Sequence, residues 1–264
     1  MDERARQLEW EKRWSRPAGL AALAAVAFVA ASLVVASQIG GSDGDSEFLR
    51  NVDAHEAARL ISGILQAIGV SLLAVPLYFL FRAANARSDG MRGQLVGIVV
   101  AGPLFLAAAS ILTGISTVQA ASDFVSDQVP QLLSKGVALG SDRADDLASD
   151  ALGDASLRPL AAGFGIGGQI GFVVGMFYTA LHAMRSGLLT RFWGSLGMAL
   201  GAVSFIFFQF AILWFIYLGL LLAGWVPGGR PPAWASGEAE PWPTPGEKAA
   251  ADLPPPPEEP EQKS

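Results

Sequence analysis

The run PAGLAALAAVAFVAASLVVASQI, Pro17 to Ile39, carries no ionisable side chain over 23 residues. About 20 apolar residues in a helix suffice to cross ~30 Å of hydrocarbon. A segment of this kind is a spanning helix, because a lone strand in lipid would leave its backbone donors and acceptors without partners. Similar runs follow at Leu60–Phe81, from about Leu95 to Val118, from about Leu160 to Leu181, and from Trp193 to Val226. The chain is 52% hydrophobic and 16% charged, whereas about a quarter of a typical soluble domain is charged. Such a chain belongs in a lipid bilayer, as an all-α, multi-pass transmembrane bundle.

The charges between the runs alternate by side. The leader 1–16 is amphipathic and basic, with Arg4, Arg6, Lys12, Arg13 and Arg16 against four acids, and its Trp10 and Trp14 suit the headgroup level. Loop 82–94 holds Arg82, Arg87 and Arg92 against Asp89, and loop 182–192 holds Arg185 and Arg191 with no acid. Loops 40–58 and 119–159 are acidic. The positive-inside rule therefore puts the leader in the cytoplasm and the acidic loops outside; the plasma membrane is the expected location. The first apolar run exceeds the roughly 7–15 residues of a cleaved signal peptide, so it reads as an uncleaved anchor. A net charge of −6 and the lack of a basic, aromatic-laced stripe argue against a nucleic-acid partner. The absence of cysteine removes disulfides, thiolate metal sites and cysteine nucleophiles.

The last apolar block is ambiguous. As one helix its 34 residues would measure about 51 Å, too long for the bilayer core, yet half of that is short for a span. No Gly or Pro marks a turn near its middle, but Gln209 there suits a surface better than the bilayer centre. Six spans, with the last two at 193–208 and 210–226, are favoured over five. Residues 227–264, rich in proline and acid, read as a disordered tail.

The order of a first span, an acidic loop, RLISGILQAIGVSLLAVPLYFLFR (59–82), LHAMRSGLLTRFWGSLGMALG (181–201) and LWFIYLGLLLAG (213–224) resembles a family of uncharacterised bacterial membrane proteins known only as a domain of unknown function. GGRPPAW is similar to the tail of actinobacterial relatives. The resemblance covers roughly Pro17 to Trp234 and implies six spans with both termini inside. It implies no activity and no catalytic residue. The chain departs from the pattern in lacking a clear loop between the fifth and sixth spans.

Gly163, Gly165 and Gly168 have the GxGxxG spacing of a dinucleotide fingerprint. That motif needs a preceding strand and an acid about 20 residues on, and neither exists: no Asp or Glu occurs from Ala155 to Gly237. Gly163, Gly167, Gly171 and Gly175 recur every four residues instead, a smooth stripe for close helix packing within the chain or with another copy. Gly197 and Gly201 form a matching notch. HEAAR, His55 to Arg59, begins like HExxH, but a guanidinium offers no lone pair where the second ligand should be. It reads as a helix entry in which Glu56 pairs with Arg59 and Arg59 meets outer headgroups. A binding cluster of His55, Glu56 and Arg59 at the outer mouth is the alternative. Asp142, Asp146 and Asp150 line one helix face, a solvated acidic row or a divalent-cation or partner surface.

The intramembrane polar inventory is Gln66, Gln169, Gln209 and a few hydroxyls, with no acid, base or metal set for catalysis. No cofactor or metal is expected. The expected role is a non-enzymatic scaffold or interaction protein that engages the bilayer and a second copy or a protein partner through the glycine stripe, the acidic loop or the tail. The alternative is a carrier or small pore for an uncharged solute, lined by Gln66, Gln169 and Pro76.

Overall fold

The computed structural model describes residues 3–88 and 90–243, and these form helices without strands. Four helices are long and apolar enough to cross a bilayer. The first, α1 (Glu3–Ala36), is joined by α3 (Glu56–Asn85), α4 (Val96–Asp123) and α7 (Arg158–Arg185). The leader is no separate element: nothing before Pro17 breaks a helix, so leader and first span run on as a single α1 of about 51 Å. Trp10, expected at a headgroup, instead turns inward and stacks on Phe79, with ring centroids 5.0 Å apart.

Helix α3 occupies the centre, packed on α1, α4 and α7. The crossings are made by glycines, as expected where lipid supplies no hydrophobic drive and close backbone approach must hold helices together. A Cβ at Gly69 would lie 2.9 Å from the Ala25 carbonyl of α1, and one at Gly63 would lie 3.2 Å from the Ser110 carbonyl of α4.

The α4–α7 seam corrects the expected stripe. Gly168, Gly171 and Gly175 face α4: a Cβ on Gly171 would sit 3.0 Å from Gly102 Cα, and one on Gly175 3.0 Å from Val99 Cα. Gly163 faces open space, and Gly167 meets only the edge of Phe105. The reason is geometric. At 3.6 residues per turn, each four-residue step rotates about 40° round the helix, so a strict every-fourth stripe drifts off a straight partner. The partner is within the chain, on α4.

The last apolar block is neither one long helix nor two full spans. It forms α8 (Arg191–Val203) and α9 (Gln209–Ala223) with a bend between them. The run Val203-Ser-Phe-Ile-Phe-Phe208 contains only residues of modest helix propensity, and Ser204 Oγ turns back to donate to Gly201 O at 2.7 Å. The arms measure about 20 and 22 Å, short of the ~30 Å core. Their apex meets α7 near its middle: Gln169 Nε2 donates to Ser204 O at 2.6 Å, and Phe208 packs on Phe172 with centroids 5.2 Å apart. Gly194, Gly197 and Gly201 fit α8 to Met184, Ala180 and Met176 on a face of α7 other than the α4 seam. Helix α9 returns along α1, where a Cβ on Gly19 would lie 2.7 Å from Gly219 O.

At one end a cap of α2 (Asp45–Ala54), α5 (Val129–Ser134) and α6 (Asp142–Asp154) closes over fully buried Phe124. At the other, residues expected to be a featureless tail are tied down. Arg87 grips Glu11 with two bonds, of 2.5 and 2.8 Å, and donates through Nε to Ala233 O at 3.1 Å. Trp234 Nε1 donates to Leu188 O at 3.0 Å, and Trp242 Nε1 donates to Leu189 O at 3.1 Å. Arg230 caps the end of α9 by donating to Leu221 O at 3.0 Å. The tail expectation does not hold for 227–243, where Trp234 is buried and Trp242 and Arg230 are held by hydrogen bonds; its remainder, 244–264, lies outside the described residues. Leader and strap pack together at one end of the bundle.

Two outcomes follow. Leucine at Gly102 or Gly171 forces backbones apart and should lower stability in detergent by about 1–3 kcal/mol or more, whereas Gly163→Leu should leave the melting temperature unchanged. Arg87→Ala strands a buried carboxylate and should cost about 3–5 kcal/mol, while loss of the exposed Arg4–Glu238 pair should hardly register in the same melts.

Candidate functional site in the cleft beside the hairpin

Because the hairpin ends near mid-bundle, the groove it fills in one half of the molecule is open in the other. The open half is a cleft of about 240 Å³ lined by Arg59, Gly63, Gln66 and Val70 of α3, Leu106, Ala109, Ser110 and Thr113 of α4, Gln169 of α7, and Phe208. The α3 positions fall at i, i+4, i+7 and i+11, one helix face, and span about 16 Å along the axis. The cleft is blind. Phe208 forms its floor, and beneath it Phe172, Phe215 and Trp214 fill the bundle, with centroids 6.1 and 5.2 Å apart along that row.

Its polar groups have unequal freedom. Thr117 donates its hydroxyl proton to Thr113 O at 2.6 Å and accepts from Arg59 Nη2 at 3.3 Å. Ser110 donates to Leu106 O at 2.9 Å. Arg59 Nε is buried with no hydrogen-bond partner, and no carboxylate lies within 4.0 Å of the guanidinium among the described residues. Gln66 is exposed and its carboxamide makes no hydrogen bond within the described chain. One end of the cleft therefore holds an uncompensated cation, and its middle holds a free amide.

The expected site residues are dispersed. His55 and Glu56 are exposed and border a shallow hollow with Asp53 and Gln38, with His55 Nδ1 3.0 Å from Asn51 O. Arg59 points away from them into the cleft, and no Glu56–Arg59 pair forms. Asp142, Asp146 and Asp150 lie exposed on α6. Among the described residues no group of three or more metal-ligating side chains comes together. Gln66 and Gln169 share the cleft, whereas Pro76 is buried in α3 outside its lining.

Sequence reading missed Asp145, which stands between the acidic-row positions. Its Oδ1 accepts from Ser46 N at 2.9 Å, capping the start of α2, whose own cap position is Gly44. The Ser46 hydroxyl nearby and the Ser46 amide hold the Asp145 carboxyl below the usual carboxylate range, against a small opposing effect of burial. The hydroxyl proton itself goes to Leu139 O at 2.6 Å, so the amide is the lasting donor. The one available signal was a helix start at Asp45 with no side chain of its own to cap it.

Compared with protein families, with curated proteins and with solved structures, the chain matches none. The site therefore rests on its own geometry.

Replacing Gln169 by Leu leaves the Ser204 carbonyl unpaired in an apolar setting and should cost about 1–3 kcal/mol, read as a lower melting temperature with increased protease access to 203–208. Asp145 has its pKa lowered on folding, so its contribution is complete above the ordinary carboxylate value of about 3.9 and fades as pH falls through the lower folded value. Amide exchange at Ser46 should accelerate only in that acid window, and Asp145→Asn should flatten the dependence.

Proposed function

We propose that this chain is a non-enzymatic interaction protein of the plasma membrane that holds its ligand in the cleft among α3, α4 and α7. In this reading six helical segments enter the bilayer. Four cross it, and α8 with α9 dips in from the cytoplasmic side and returns. The leader and strap then lie in the cytoplasm with the basic loops, and the α2–α5–α6 cap lies outside. The observation that carries the reading is the blind cleft itself: it is polar-lined, it stops at Phe208 with aromatic packing beneath, and its side chains supply no nucleophile and base in mutual reach. A site of this kind binds without converting or conducting. The glycines that might have served another copy are largely spent inside the chain on the α4 and α8 contacts.

A carrier for an uncharged solute is the second reading, favoured by Gln66 and Gln169 lining one cavity. Access separates the two. In this cysteine-free chain, Gln66→Cys should react with a small impermeant thiol reagent from the outer side only, and Phe215→Cys from neither side. Reaction of Gln66→Cys from both sides would replace the interaction reading with alternating access.

A further inference from the structure

We propose that the cleft is a phospholipid site, in which Arg59 takes the anionic headgroup and an acyl chain lies over the hairpin apex. The proposal rests on the interaction reading above and names its ligand. Arg59 sits in the first turn of α3, at the level where a spanning helix meets headgroups. Its guanidinium is turned inward, half-buried, bonded among the described residues only to Thr117, with Nε unpartnered there. A cation withdrawn from water without a carboxylate is costly, and arginine's planar fork pairs with a phosphate through two parallel hydrogen bonds as it does with a carboxylate. No acidic side chain lines the cleft to satisfy it from within.

The rest of the cleft fits an amphiphile better than a free anion. Gln66 lies about 10 Å deeper, seven residues along α3, with unengaged amide hydrogens at a depth suited to ester carbonyls rather than to a phosphate. Beyond it the lining is mainly apolar at Val70, Leu106 and Phe208, and the Gln169 amide nitrogen there is already engaged by Ser204 O. The edge of the hairpin then presents Phe205, Ile206 and Phe207, exposed by 58, 76 and 54%. Inorganic phosphate satisfies Arg59 but leaves Gln66 and this apolar shelf unused. A diacylglycerol covers the shelf but leaves the cation bare. A phospholipid entering sideways above the hairpin does both.

The test uses the full chain in a neutral detergent, with melting temperature as readout and three probes: dioleoylphosphatidylglycerol, dioleoylglycerol and inorganic phosphate. The phospholipid should raise the melting temperature in a saturable way, and the other two should not. In Arg59→Gln the concentration needed for half the rise should increase by at least about tenfold. Gln66→Trp fills the cleft without touching the cation and should melt near the wild type while losing the rise, which keeps the test decisive if Arg59→Gln folds poorly. A rise with inorganic phosphate alone overturns the lipid assignment in favour of a free anion. A phospholipid rise that survives both substitutions, or no rise with any probe, overturns the site. One-sided labelling of Gln66→Cys together with no lipid effect would sink this proposal and leave the interaction reading standing; two-sided labelling would sink that reading first.

Discussion

A single hydrogen bond, from the Gln169 carboxamide to the Ser204 carbonyl at 2.6 Å, sets the shape of half the molecule. An interrupted helix in hydrocarbon frees backbone groups that water cannot satisfy, so a bend there persists only where protein supplies partners. Ser204 finds one on α7, and its own hydroxyl serves Gly201. With the bend paid for at that depth, α8 and α9 need not cross, and the groove they leave unfilled becomes the cleft. Phe208, carried on the same bend, supplies its floor.

The opposite end shows the complementary arrangement. Glu11 and Arg87 bury their charges in each other, at 4 and 0% side-chain exposure, and Trp234 lies between Phe79 and the Arg87 and Arg230 guanidinium groups. Such a pair adds little net stability, since desolvation offsets the Coulombic gain, but it fixes which groups must meet. It binds α1, the segment after α3 and the C-terminal strap into one closed end. The same cation type is thus used in two ways. Arg87 is answered by a carboxylate of its own chain, and Arg59, at the other end of α3, has none among the described residues.

Much of the architecture was legible because lipid reduces the choices. Uncharged runs longer than the bilayer core have to be helices, and Leu60–Phe81 and Leu160–Leu181 lie within α3 and α7, while Pro17–Ile39 and Leu95–Val118 fall in α1 and α4 with their adjoining 3-10 turns. What escaped reading depended on direction around or across a helix. Gly163 and Gly167 share spacing with Gly171 and Gly175, yet a drift of about 40° per step takes them off the seam. Arg59 read as the partner of Glu56 because sequence does not reveal that its side chain turns toward Thr117 instead. The bend at 204–208 carries no Gly or Pro and was legible only through Gln209; its depth, tied to a partner 35 residues away, was not legible locally. Trp234 and Trp242 were masked by the proline-rich composition around them, which describes an average and not one buried and one hydrogen-bonded anchor.

The central claim is that the hairpin stops near mid-bilayer. It is tested most directly by a nitroxide at Ile206, a position exposed enough to carry the label, in the chain reconstituted into bilayers, with spin-relaxation access measured for oxygen and for a water-soluble nickel chelate. High oxygen access with negligible nickel access, matching a label placed on the lipid face of α7 at Ile170, is the expected result. Nickel access comparable to that of a label at Asp142 on the cap would mean that α8 and α9 cross the membrane, and the cleft account would fail with them.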